Sequence, residues 1–186
     1  MPEAAPPSAL PGVRVGRLAR HADERGSFRE LWRESAFGAL APDDTGRDDA
    51  RFVQANLSSS AAGVLRGLHY HRRQLDYWAV AAGRVYVALV DVRPVLANPT
   101  SAAVVETREL DADDWVVIPA GVAHGFCALE PTDLLYLVTN EYDGTDELGF
   151  AWDDPDVGVT WPIRDPVLSA RDRSNPSLRE LVRSLG

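Results

Sequence analysis

Two stretches, Gly63-Val-Leu-Arg-Gly-Leu-His-Tyr-His71 and Ile118-Pro-Ala-Gly-Val-Ala-His-Gly-Phe126, hold three of the chain's four histidines. Each alternates apolar and polar residues, the two-residue period of a β-strand. On a strand, side chains two apart share a face, so His69 and His71 can point into one cavity. Imidazoles that converge from separate strands inside an apolar barrel are placed for proton transfer or for holding a metal.

Outward from these stretches the same pattern repeats. Runs of strand character cover 13–20, 28–33, 52–58, 63–71, 75–82, 84–92, 102–109, 115–118, 123–129 and 133–141, with turn signals between them. Ala82-Gly83-Arg84 reads as a hairpin turn, and Pro119-Ala-Gly121 as a tight turn before the strand that carries His124. Glu34 to Leu40 reads as a short helix, and Ser177 to Leu185 as an amphipathic helix that starts behind Ser174–Pro176. Many short strands at even spacing predict an all-β chain built as an antiparallel sandwich or barrel. Residues 1–12 form a Pro/Ala-rich arm, expected to be flexible or laid along a neighbour. Residues 13–186 form the single remaining domain, with no internal repeat or linker.

Composition narrows the class. The 186 residues suffice for one domain with a sizeable core. No apolar run approaches the roughly 20 residues of a membrane span, and the N-terminus lacks a basic-then-apolar signal pattern. Cys127 is the single cysteine, which excludes an internal disulfide and fits a reducing cytoplasm. It follows Phe126 in a strand-like run and reads as an inert buried thiol. The net charge of −9 disfavours nucleic acid or an anionic membrane as partner. All 19 basic residues are arginine. Without lysine there is no Schiff-base chemistry, and anionic groups must be held by arginine forks, backbone amides or histidine.

The first stretch runs on to Gly83, and its spacing, Gly63-x5-His69-x-His71-x4-Asp76-x6-Gly83, resembles a metal-cupin signature. Pro119-x-Gly121-x-x-His124 supplies a second half. Two histidines on one strand, an acid on the next and a histidine across the barrel could hold a divalent cation and leave positions open. The acid is glutamate in most such sites, and the second half departs at Asp113 and Ala128, where glycine and asparagine are usual. In the alternative reading His71 only lines the pocket and Asp76 pairs with an arginine.

A broader resemblance covers Val13 to Asp172. It is carried by Asp23-Glu-Arg-Gly-Ser-Phe-Arg-Glu30, Val53-Gln-Ala-Asn56, Gly63-Val-Leu-Arg-Gly-Leu-His-Tyr70, Asp91-Val-Arg93 and Ile118-Pro-Ala-Gly-Val-Ala-His-Gly-Phe126. Tyr136, Tyr142, Trp152-Asp-Asp-Pro155, Trp161-Pro162 and Leu168-Ser-Ala-Arg-Asp172 complete it. In these motifs the chain resembles the dTDP-4-dehydrorhamnose 3,5-epimerase family of the cupin superfamily. The resemblance implies an antiparallel jelly-roll cupin barrel, or double-stranded β-helix, with a short C-terminal helix. It also implies a cytoplasmic homodimer that needs no cofactor and acts on a dTDP-linked 4-keto-6-deoxy sugar in deoxysugar biosynthesis. Protons beside the carbonyl are removed and returned on the opposite face, a task suited to a base that titrates near neutrality, as free histidine does at about 6.5.

By this resemblance His69 is the base, Asp172 the carboxylate that orients it, and Tyr136 the acid on the other face. Tyr142 packs on the substrate, and Arg25, Arg66 and Arg171 grip the diphosphate. Phe28, Glu30, Gln54, Asn56, His124 and Glu147 contact substrate, with the Arg25–Glu30 segment completing the partner's site. One departure bears on the reaction. The family carries a lysine after the base strand, near the developing enolate oxygen; alignment on Gly83 puts Asp76 there, after a shorter loop, and Val87 replaces an inward aspartate of the next strand. A metal held by His71, Asp76 and His124 could replace the lost cation, or His71 or Arg73 could, with Asp76 orienting it. Two rivals remain: a metal-dependent cupin enzyme in which His69 is itself a ligand, and a sugar-nucleotide-binding protein without turnover.

Overall fold

A computed structural model describes residues 6–37 and 51–185. The strands are Arg14–Arg17 (β1), Arg20–Asp23 (β2), Gly26–Arg29 (β3), Gln54–Ser60 (β4), Leu65–Tyr70 (β5), Asp76–Ala82 (β6) and Arg84–Asp91 (β7). They continue as Val104–Asp111 (β8), Asp114–Ile118 (β9), Val122–Ala128 (β10), Thr132–Val138 (β11) and Leu148–Gly149 (β12). Short helices cover Glu34–Phe37 (α1), Arg93–Ala97 (α2), Ala170–Ser174 (α3) and Leu178–Leu185 (α4).

Ten strands form two five-stranded antiparallel sheets, ordered β1-β9-β6-β11-β4 and β12-β5-β10-β7-β8. From β4 to β12 successive strands cross between the sheets, except the β7–β8 hairpin, which gives the expected jelly roll. The inner faces meet in one apolar core: Trp78, Val80, Val116, Ile118 and Leu134 from the first sheet, Val85, Val87, Leu89, Leu110 and Phe126 from the second. Outer faces are covered as well. Tyr77, Ala79 and Val117 turn outward against Leu31, Trp32 and Phe52. Ala88, Val90 and Ala123 turn outward against Val95, Leu178 and Leu181 on the helices. Burial on both faces explains why β6, β7 and β10 read as nearly continuous apolar runs.

Two glycines hold β5 against β10. A methyl group on Gly67 would lie 2.6 Å from the Gly125 Cα, and one on Gly125 would lie 2.8 Å from the Arg66 carbonyl oxygen. Only glycine permits that approach.

The expected strand over 13–20 is split into β1 and β2, and the one over 28–33 is instead β3, ending at Arg29. A two-residue turn at Glu24-Arg25 sets the register, pairing Arg20 with Arg29, so β3 stops where its partner begins. Arg29 holds this hairpin to the body through Asp113 and the Ala81 carbonyl. The helix expected over Glu34–Leu40 is seen as α1, and its last three residues lie outside the described ones. Of the arm expected over 1–12, Ser8 and Ala9 bond the Glu106 carboxylate, each at 2.8 Å, and Leu10 is buried in the core. Cys127 is buried and unpaired, and burial pushes its thiol pKa up, as an inert thiol requires.

Candidate active site

Between the two sheets the inner faces enclose a cavity of about 330 Å³, an ordinary size for a small-molecule site. From one sheet it is lined by Gln54, Asn56 and Ser58 on β4, Asp76 and Trp78 on β6, and Tyr136 on β11. From the other it is lined by Arg66 and His69 on β5 and His124 and Phe126 on β10. The two-residue period explains the pairs: Asp76 and Trp78, like His124 and Phe126, are neighbours on one face.

His69 Nε2 lies 2.8 Å from Asp172 Oδ1. Asp172 reaches it from the first turn of α3, whose N-cap is Ser169: the Asp172 N–H donates to Ser169 Oγ at 3.0 Å. Burial disfavours the Asp172 carboxylate, but the hydrogen bonds from His69 and Ser169, with the charge of Arg171, outweigh it and lower its pKa. An ionised carboxylate only accepts, so Nε2 donates and the neutral ring keeps its lone pair on Nδ1. Tyr136 faces the cavity from the opposite sheet. Its burial, together with the charges of Asp76 and Glu147, raises its pKa, so its hydroxyl stays protonated at neutral pH.

A second cluster borders this pair. His124 Nε2 is 3.4 Å from Asp76 Oδ2, and Asp76 also accepts from Gln74 Nε2 at 2.7 Å and Trp78 Nε1 at 3.2 Å. Burial opposes charge on Asp76, yet the His124 hydrogen bond and charge lower its pKa. Burial likewise opposes charge on His124, and Asp76 outweighs it and raises the pKa. Burial lowers the pKa of His71, only partly offset by Asp76. His71, Asp76 and His124 are the one group among the described residues whose donor atoms converge closely enough to hold a metal ion.

Toward the mouth, Tyr142 is largely exposed, and its N–H donates to Gln54 Oε1 at 2.9 Å. Arg66 lies along β4, donating to Ser60 Oγ and the Ser59 carbonyl. Glu147 lines the cavity and is held by Arg171 at 2.7 Å.

The family model for dTDP-4-dehydrorhamnose 3,5-epimerase matches residues 7–180. The chain belongs to that family. It is 37% identical over 180 residues to the dTDP-4-dehydrorhamnose 3,5-epimerase of Pseudomonas aeruginosa, an alignment covering 92% of this chain and 94% of that protein. The rmlC epimerase structure of Mycobacterium tuberculosis superposes with a TM-score of 0.81 at 33% identity, covering 99% of this chain and 92% of that one. ChmJ, a 3'-monoepimerase from Streptomyces bikiniensis solved with dTDP-quinovose, superposes with a TM-score of 0.80 at 30% identity, covering 97% and 90%.

Of the residues that the epimerase resemblance singles out, His69, Asp172, Tyr136, Gln54, Asn56, Arg66, His124, Tyr142 and Glu147 are gathered in or directly behind the cavity. Arg171 stands behind Glu147 and outside the lining. Arg25, Phe28 and Glu30 are not brought in: Arg25 pairs with Asp23 on the exposed hairpin, Phe28 is 70% exposed, and Glu30 pairs with Arg33. Among the described residues Asp76 pairs with His124, Gln74 and Trp78 rather than with an arginine, and Arg73 is held instead by Asp143 at 2.6 Å and Asp146 at 3.8 Å. His69 stands apart from the cluster of converging donors, its Nε2 occupied by Asp172. Trp78, Phe126, Ser58 and Gln74 also line the cavity, beyond the site residues that the resemblance implies. The first two were accessible from the period, two residues from Asp76 and His124; Gln74 sits in a loop, where no period applies.

Proposed function

We propose that the protein is a nucleotide-sugar epimerase acting at C3, C5 or both of a dTDP-linked 4-keto-6-deoxy sugar, in deoxysugar biosynthesis. The observation that carries this reading is the His69–Asp172 pair with Tyr136 across the cavity. His69 Nδ1 takes the proton from the carbon beside the ketone. The electron pair left behind forms a carbon–carbon double bond, and the carbonyl pair moves onto oxygen as the enolate. Tyr136 then donates its hydroxyl proton to the opposite face as the carbonyl re-forms, and solvent restores both side chains. Asp172, held ionised, stabilises the imidazolium formed midway.

On the same reading Arg66 takes a phosphate of the nucleotide and Tyr142 packs at the mouth, with Gln54, Asn56, His124 and Glu147 around the sugar. Arg25, Phe28 and Glu30 act in the cavity of a second copy, so the working form is a homodimer, placed in the cytoplasm. No helix among the described residues is long and apolar enough to cross a membrane.

Incubation with dTDP-4-keto-6-deoxyglucose in deuterated water tests the reading, with deuterium expected at C3, C5 or both. Tight binding of the sugar nucleotide with no isotope incorporated would favour the rival, a binding protein without turnover, which Asp76 supports because a carboxylate there repels an enolate.

A further inference from the structure

We infer that His71, Asp76 and His124 form a binding site for one divalent transition-metal ion in the cavity wall. The three side chains come from the residue just after β5, the start of β6 and the middle of β10. All are buried, and one donor atom from each lies within 4.8 Å of the others. His124 Nε2 and Asp76 Oδ2 already stand 3.4 Å apart, the spacing of two ligands on one tetrahedral ion, about 3.4 Å for bonds near 2.1 Å.

The orientation of the rings is the stronger observation. His71 Nδ1 lies 2.9 Å from the Asp146 carbonyl oxygen, and His124 Nδ1 lies 3.1 Å from the Val122 carbonyl oxygen. A carbonyl only accepts, so both Nδ1 atoms carry hydrogen and both Nε2 atoms are left to face the cluster. Metal-binding imidazoles are held in this way, with the far nitrogen fixed by a backbone or carboxylate acceptor. The Asp146 anchor is itself tied down, its carboxylate accepting the Arg72 and Arg73 N–H groups at 3.1 and 3.2 Å.

Gln74 bridges two of the three donors. Its amide nitrogen lies 3.3 Å from His71 Nε2 and 2.7 Å from Asp76 Oδ1, one donor shared by two acceptors. A small cation at that point meets the same two acceptors. Rotation of the displaced amide brings its oxygen round as a further ligand. On the other side a proton between His124 Nε2 and Asp76 occupies the place of a metal bond. Two imidazoles and one carboxylate suit zinc, iron, cobalt, nickel or manganese better than calcium or magnesium, which favour all-oxygen sites. His69 stays outside the donor set, yet it is the register partner of His124, so the ion would sit beside the base and leave the base free. That the ion polarises the ketone oxygen rests on the epimerase reading; that it binds does not.

The test titrates chelator-treated protein with Co²⁺ and then Zn²⁺. One equivalent of Co²⁺ is expected to give the visible bands of a low-symmetry site, and Zn²⁺ to abolish them. His71→Ala and Asp76→Asn are expected to weaken binding by more than about tenfold, circular dichroism showing each variant folded. No saturable binding, or equal binding by both folded variants, overturns the site. Nitrogen-15 spectra of the unsubstituted protein decide the matter without variants: Zn²⁺ should move the Nε2 signals of two of the four imidazoles and spare His21 and His69. If all four move, or none, the inference falls. Isotope exchange in loaded protein separates the two readings. Metal bound by His71 and His124 without exchange leaves the site standing and removes the epimerase.

Discussion

His69 and His124 are register partners on adjacent strands, and each stands beside a buried aspartate: Asp172 at 2.8 Å for the first, Asp76 at 3.4 Å for the second. One imidazole–carboxylate pair is built to move a proton and its neighbour to hold positive charge. The two pairs can be perturbed separately.

Asp172→Asn should lower the isotope-exchange rate by about 10²–10⁴-fold with little change in KM, because an amide can donate to Nε2 and reverse the tautomer. His69→Ala should abolish exchange. The same carboxylate sets a stability trend. Its pKa is lowered in the folded protein, so its contribution is complete above the ordinary carboxylate range and is lost as pH falls through the lower, folded value. Thermal melts should show the parent's advantage over Asp172→Asn constant near pH 7 and shrinking in acid below about pH 4.

Tyr136→Phe should separate exchange from inversion. With the acid gone, His69 can still remove and return a proton on its own face, so deuterium enters the sugar while configuration is retained. Mass spectrometry and proton coupling constants of the product distinguish the two. In the parent, the raised tyrosine pKa places any loss of inversion from its ionisation above about pH 10, the ordinary tyrosine value.

Asp76→Lys should make exchange insensitive to chelator. The parent, if it uses the ion, should lose most exchange on chelation. The ammonium supplies the positive charge beside the enolate that the ion would, and one such stabilising group is typically worth 10²–10³ in rate. Loss of all exchange in a folded Asp76→Lys protein would count against the interchange of ion and ammonium.

Mixed dimers address Arg25, Phe28 and Glu30, which the fold leaves exposed on the hairpin or just after it, away from the cavity of their own chain. Arg25→Ala and His69→Ala proteins, inactive alone, should regain activity when subunits exchange, because one of the two cavities in a mixed dimer is then intact. No recovery despite exchange would refute the shared site.

Gly125→Ala should destabilise the protein by about 1–3 kcal/mol, read by denaturant unfolding. The added methyl meets the Arg66 carbonyl, so β5 must shift and carry His69 with it. Activity in the folded fraction should fall as well.

The parts of the site legible in the sequence are those that the strand period governs. His69, Tyr136 and His124 could be placed on inner faces because backbone geometry sends alternate residues to opposite sides. The period does not say which strand lies opposite, so the contact of Asp76 with His124, rather than with an arginine, depends on the placement of β6 against β10 in the facing sheet. The hairpin at Arg20–Arg29 escapes the period because its register comes from the turn and not from apolar alternation, its residues being exposed except at Arg29. Helix α2 leaves no mark on the period although Pro94 opens it, since five residues are too short to repeat it.

Along the inner face of β6, Asp76 and Trp78 give way to Val80; along β10, His124 is followed by Phe126; along β11, Tyr136 is preceded by Leu134. Reactive and filling side chains therefore ride the same girders, two residues apart. A girder cannot slide by one residue without turning both outward, so a mispaired form of this protein would be inert and sticky together, never well packed with the wrong chemistry.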